Sequence, residues 1–307
     1  MGVWGLRPQR GPGAEPLAFF TWLPGQLLFS KGSAFFRGSQ SLTQAVQSDD
    51  DQHHIKGPGE PMAEQGKGAC LVVGAGDGVG AAVARAFARE GLIVCMTRRE
   101  RHLKELQALA AEITEAGGRA EAYGVDARDE AQMVALFARI EAEVAQLDVV
   151  VFNIGANVRF SVTDTTSRVY TKVWEMAAFA GFLTGREAAR VMRPRGRGTV
   201  IFTGATASLR GRADFSAFAG AKHALRALAQ SLAREMGPEG IHVAHVVVDG
   251  MIDGTFARTN FADTAERLAR GEIVEPAEIA RAYVYLHGQA RCAWTHEMDL
   301  RPWREVW

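Results

Sequence analysis

Cys70-Leu-Val-Val73, followed by Gly74-Ala-Gly-Asp-Gly78-Val-Gly80 and an alanine-rich run from Ala81 to Glu90, is the stretch that decides the fold. Four apolar residues that end in glycine read as a short buried strand, and the run after the glycines reads as a helix. Glycine suits such a turn because it lets bare backbone approach a ligand closely. The helix start then offers N–H donors and a positive dipole end to an anion such as a pyrophosphate. The context, strand before and helix after, is what turns a glycine motif into a dinucleotide-binding expectation. Gly91 is well placed to end the helix.

The same alternation continues outward. Leu92–Met96 reads as a second strand, and a long charged helix then reaches Gly117-Gly118. Ala120–Val125 reads as a third strand, 129–145 as a helix and Asp148–Phe152 as a fourth strand. Helices over 174–192 and 215–236 enclose a strand at 199–203, and another strand follows at 241–247. Apolar runs separated by amphipathic helices predict an α/β fold, a Rossmann-type doubly wound parallel sheet with helices on both faces. One such domain is expected over residues 67–307.

Residues 1–66 differ in kind. Gly-Pro and Pro-Gly breaks (Gly11-Pro12-Gly13, Pro24-Gly25, Gly57-Pro58-Gly59) and the acidic run Asp49-Asp50-Asp51 predict a disordered leader. It reads either as a dispensable extension, with Met62 opening a compact start, or as a targeting segment: Arg7 and Arg10 precede a broken apolar stretch at 17–29. The 35 basic and 35 acidic side chains cancel, which gives no electrostatic reason for a nucleic-acid partner. No stretch approaches the roughly 20 apolar residues of a membrane span. Three cysteines, Cys70, Cys95 and Cys292, are too few and too far apart for a disulfide framework or a metal knuckle. A reducing, cytoplasmic setting is expected, with organelle targeting by the leader left open.

Strand two ends in Thr97-Arg98-Arg99, without the acid that would grip a ribose 2′-hydroxyl. Arginine at that tip pairs with a 2′-phosphate, so NADP(H) is favoured over NAD(H); Asp77 opposes that phosphate if it faces the same way.

With these residues in view, the chain resembles the short-chain dehydrogenase/reductase family over roughly 68–290. The loop residues Gly74, Gly78, Val79 and Gly80 match its cofactor turn. Asp126, beside Ala127, falls where the family places an adenine-contacting acid. The segment Asp148-Val-Val-Val-Phe-Asn153-Ile-Gly155 resembles its Asn-Asn-Ala-Gly signature, with Phe152 and Ile154 as departures. Lys222 matches the lysine that holds the nicotinamide ribose. The resemblance implies hydride transfer between a nicotinamide cofactor and an alcohol or carbonyl of a small-molecule substrate. It also implies a homodimer or homotetramer through the helices over 174–192 and 215–236.

The remaining catalytic positions depart from the family. Its relay asparagine falls on Ala178, its serine on Ala205 and its tyrosine on Phe218, four residues before Lys222. A phenyl ring holds no proton to donate. The sequence therefore looks like an atypical subgroup with Phe in place of the catalytic Tyr, either an enzyme with a rewritten proton relay or a cofactor-binding sensor or assembly protein without turnover. Thr206, beside Ala205, is the preferred substitute hydroxyl, with Ser208 and Ser216 behind it. Asp249, where Pro-Gly becomes Asp249-Gly250, is either a relocated acid–base group or a satisfied loop residue. His223 is expected to face away.

Overall fold

The computed structural model describes residues 68–305; the leader expected over 1–66 lies outside them, as do the last two residues of the aromatic tail. Within them, β1 (Ala69–Val73), α1 (Val79–Arg89), β2 (Ile93–Arg98), α2 (Leu103–Glu115), β3 (Arg119–Gly124), α3 (Glu130–Glu143) and β4 (Leu147–Phe152) alternate as read. The second half holds α4 (Ser167–Trp174), α5 (Ala180–Met192), β5 (Gly198–Thr203), α6 (Ser216–Met236) and β6 (Ile241–Val248). It closes with α7 (Thr255–Asn260), α8 (Thr264–Ala269), α9 (Pro276–His287) and β7 (Glu297–Leu300). The sheet is fully parallel in the order β3-β2-β1-β4-β5-β6-β7.

The uninterrupted apolar strands are explained by burial on both faces. In β1, Cys70 and Val72 enter one core, with Phe87 of α1, Leu106 of α2 and Tyr283 of α9. Ala69, Leu71 and Val73 enter the opposite core, with Phe137 of α3, Leu183 of α5 and Leu225 of α6. Side chains alternate along a strand, so one pentapeptide serves two helix layers at once. β4 repeats the pattern, Val149 and Val151 on one side and Val150 and Phe152 on the other.

Three regions differ from the sequence expectation. The helix read over 174–192 begins earlier, at Ser167, where the Thr166 hydroxyl accepts the Val169 N–H as an N-cap. It also contains a π-helical turn at Glu175–Phe179, the kind of single-turn widening that recurs near functional sites. Beyond the last strand expected at 241–247, the chain carries α7 and α8 over 251–270, and its C-terminal segment supplies β7, paired with β6 through His245–Glu297 to Val248–Leu300.

Candidate functional site: a cleft at the β1–β4 switch point

The chain runs outward through β2 and β3 on one side of β1 and through β4, β5, β6 and β7 on the other. The connections therefore part above the carboxyl ends of β1 and β4, the place where an open α/β sheet leaves a crevice. A cleft of about 700 Å³ occupies it.

The glycines of the β1–α1 turn serve different ends. Gly74 has φ +94°, and a Cβ there would lie 2.9 Å from the Ile154 side chain and 3.1 Å from Asn153 backbone. At Gly80 a Cβ would meet the Gly74 carbonyl at 2.5 Å and Ala75 Cα at 2.6 Å, so helix and turn touch there. At Gly76, Gly78 and Gly155 it would meet nothing within 4 Å, and all three line the cleft. Close packing thus fixes Gly74 and Gly80, while Gly76, Gly78 and Gly155 leave an open cradle beside the first turn of α1, where the Ala81 N–H already donates to the Gly76 carbonyl and the Ala82 N–H to the Gly78 carbonyl. Asn153 Nδ2 donates to the Gly74 carbonyl at 3.0 Å and ties the end of β4 to the loop. The cradle, the helix start and the clamp fit a dinucleotide diphosphate.

Beyond the cradle, at the end of β2, half-buried Arg98 and Arg99 line the cleft, and neither guanidinium has a carboxylate within ion-pair distance among the described residues. Burial, and then the neighbouring charge of Arg101, pull the Arg99 guanidinium below its usual range, with Arg128 and Arg98 adding to the effect and Asp126 opposing it. An unpaired cation among like charges is relieved by an anion. Asp77 is exposed and lines the same cleft. Asp126 and Ala127 also line it, but Arg128 holds both Asp126 carboxylate oxygens, at 2.9 and 2.6 Å. That fork pulls the Asp126 carboxyl below the usual range. Sequence reading gave Asp126 no such partner. Val79, buried at the first position of α1, completes this end.

At the other end, Lys222 of α6 is 2% exposed. Its Nζ donates to the Thr203 carbonyl at the end of β5 (2.8 Å) and to the Ile154 carbonyl after β4 (3.2 Å). Burial pulls the ammonium down to about 8. The Phe218 ring lies one helical turn earlier, with its centroid 5.9 Å from Nζ, inside the range of a cation–π contact. Phe218 and Ala205 line the cleft, and both belong with Ala178, Ala177 and Ala207 to one apolar cluster. Ala178, Ala205 and Phe218 thus meet in one hydrophobic cluster, of which Ala205 and Phe218 reach the cleft.

Thr206 lines the cleft and donates its hydroxyl proton to Asp249 at 2.6 Å, which leaves its oxygen as an acceptor. Asp249 is fully buried and is not among the residues lining the cleft; both of its carboxylate oxygens receive Arg210, at 3.3 Å each. Of the other candidates, Ser208 is buried with its hydroxyl accepting the Ala205 N–H, and His223 is exposed and bonds the Ala219 carbonyl one turn back. Sequence reasoning missed Arg210, Arg212, Phe256 and Phe261, all of which line the cleft. Arg210 and Arg212 lie two and four residues past Ser208, a spacing that carries no local signal of its own.

A sequence profile described as short chain dehydrogenase matches residues 69–266. The short-chain reductase protein NovJ of Streptomyces niveus is 30% identical over 70% of this chain and 85% of its own. Among solved structures, a short-chain dehydrogenase from Rhodopseudomonas palustris is 46% identical with a TM-score of 0.66, covering 76% of this chain and 99% of that one. A variant actinorhodin polyketide ketoreductase solved with NADPH is 25% identical with a TM-score of 0.71, over 78% of this chain and 98% of that one. The profile spans most of the described fold, and the chain belongs to the short-chain dehydrogenase family.

Proposed function

We propose that the protein is an NADP(H)-preferring oxidoreductase acting on an alcohol or carbonyl of a small molecule, in which Lys222 handles the proton that a tyrosine handles in most of the family. When bound, the nicotinamide supplies or accepts the hydride. The observation that carries the reading is the Lys222 ammonium, buried in the cleft wall and held by two carbonyls beside the phenyl ring of Phe218. An ammonium has three N–H groups, so one stays available after those two bonds. As hydride reaches the carbonyl carbon, that N–H gives its proton to the carbonyl oxygen; the neutral amine regains a proton from water, and oxidation runs the reverse. An amine titrating near 8 is well matched to proton transfer around neutral pH.

The other candidates support this assignment by what they already do. Thr206 gives its proton to Asp249, so its oxygen can orient a substrate hydroxyl but does not supply a proton. Asp249 accepts the Thr206 hydroxyl and holds Arg210 through both oxygens. NADP(H) is favoured by the unpaired Arg98 and Arg99.

The second reading is a non-catalytic NADP(H) binder serving as a sensor or assembly protein. The apolar wall of Ala178, Ala205 and Phe218 favours it, because positioned acid–base groups contribute about 100- to 10,000-fold to such reactions. A homodimer or homotetramer fits the aromatic row that runs from α4 through the π-helical turn to α5, where exposed Trp174 stacks on half-buried Phe179 (6.0 Å between centroids) and Phe179 on exposed Phe182 (6.2 Å). Cytoplasmic residence fits the free thiols Cys70 and Cys95; burial pushes Cys95 up to about 12. No helix among the described residues is long and apolar enough to cross a membrane.

Titration of NADPH and NADH into the full chain, followed by cofactor fluorescence, tests the shared premise. Tighter NADPH binding, lost in Gly78→Asp at unchanged melting temperature, is expected. No binding to a folded protein overturns both readings.

A further inference from the structure

The cleft has two cationic ends, and one dinucleotide accounts for only one of them. Arg98 ends β2 and Arg99 follows it, on the β3 side of the glycine turn. Arg210 and Arg212 lie on the opposite side, in the β5–α6 connection that also carries Ala205 and leads into Phe218 and Lys222. Arg210 is held in place from behind: the fully buried Asp249 carboxylate accepts its guanidinium, and Thr206 and Arg301 close the other sides of that carboxylate. Arg212 is exposed at the cleft and has no carboxylate within ion-pair distance among the described residues. Its acidic neighbour in sequence, Asp214, is taken by Arg159 at 3.1 Å. The same cleft is lined by a large apolar set, Met176, Phe215, Phe218, Met251, Phe256 and Phe261, with Asn157, Thr206, Asp253 and Thr255 as polar neighbours. Phe256 is 66% exposed, a large apolar surface left bare at the rim.

Apolar walls with one cationic corner select a ligand that has a hydrophobic body and one anionic group. We propose that the substrate is a hydrophobic carbonyl or alcohol carrying a carboxylate, with the carboxylate received by Arg212 and the Asp249-anchored Arg210. This rests on the oxidoreductase reading above and deepens it. Asp249 is then a positioning residue: it fixes a guanidinium fork rather than moving a proton.

The test is equilibrium binding to the full chain with NADPH present, using 4-oxo-4-phenylbutanoate and its methyl ester as probes. The carboxylate is expected to bind about 5- to 20-fold tighter than the ester at low salt. Arg212→Ala should remove most of that preference and leave the affinity for the ester within about twofold. Asp249→Asn should weaken only the carboxylate, a readout that general loosening of the fold would not give. Equal affinity for acid and ester overturns the proposal, as does a preference that survives the loss of both arginines. Failure of both probes to bind at millimolar concentration also overturns it. Loss of NADPH binding itself, measured in the same cell, instead strikes the oxidoreductase reading.

Discussion

Replacing Arg98 and Arg99 by alanine, singly and together, should abolish the proposed preference for NADPH, leaving a cleft that barely distinguishes the two cofactors. Neither guanidinium has an ion-pair partner among the described residues, and Arg99 is already held below its usual range by burial and like charge. Removing either should therefore leave the melting temperature unchanged or slightly raised. A charge-assisted hydrogen bond is worth about 1.5–3 kcal/mol. Both side chains are only half-buried, so solvent screening reduces that to about 1–2 kcal/mol each. This corresponds to roughly 5- to 30-fold weaker NADPH binding per arginine, against a change within about twofold for NADH. The double variant should lower the NADPH/NADH affinity ratio by about two orders of magnitude at low salt, less at high salt. Fluorescence titration of both cofactors measures the ratio directly. Equal weakening of NADPH and NADH would refute the assignment of these arginines to a 2′-phosphate.

Gly80→Ala should destabilise the fold by about 1–3 kcal/mol, because the added Cβ lands 2.5 Å from the Gly74 carbonyl oxygen and 2.6 Å from Ala75 Cα, both of them backbone atoms; chemical denaturation reads the loss. Acidification should weaken the protein through the His245–Glu297–Arg226 cluster that joins α6, β6 and β7. Burial lowers His245 to about 4, so between that value and its ordinary 6.5 the unfolded chain binds the extra proton and stability falls as pH falls. The window corresponds to about 3 kcal/mol at most; Glu297, held below its usual range chiefly by Arg226, adds a loss of the same sign at lower pH. His245→Gln should flatten the thermal stability profile over about pH 4–6.5, and an unchanged slope would contradict the assignment.

The parts of this molecule legible in its sequence are those written locally. The glycine turn, the apolar strands and the i,i+4 pair Phe218–Lys222 each lie within a few consecutive residues, where periodicity and turn chemistry act. Illegible were the parts that depend on distant partners. Asn153 meets the Gly74 carbonyl across 79 positions, and Thr206 meets Asp249 across 43; neither pairing leaves a local mark. The seventh strand escaped notice because its pattern is half-exposed and only four residues long, and it is recruited by the edge of β6.

Proton handling by Lys222 is the central claim, and the pH dependence of carbonyl reduction tests it most directly. With the full chain, NADPH and a panel of aromatic ketones and keto acids, consumption of NADPH should decline as pH rises through about 8, where the ammonium loses its proton. Oxidation of the matching alcohol should rise over the same interval, and Lys222→Met should abolish both while the protein remains folded. A protein that binds NADPH yet reduces nothing in the panel, or whose turnover ignores pH across that interval, would contradict the account and leave a cofactor-binding protein without chemistry.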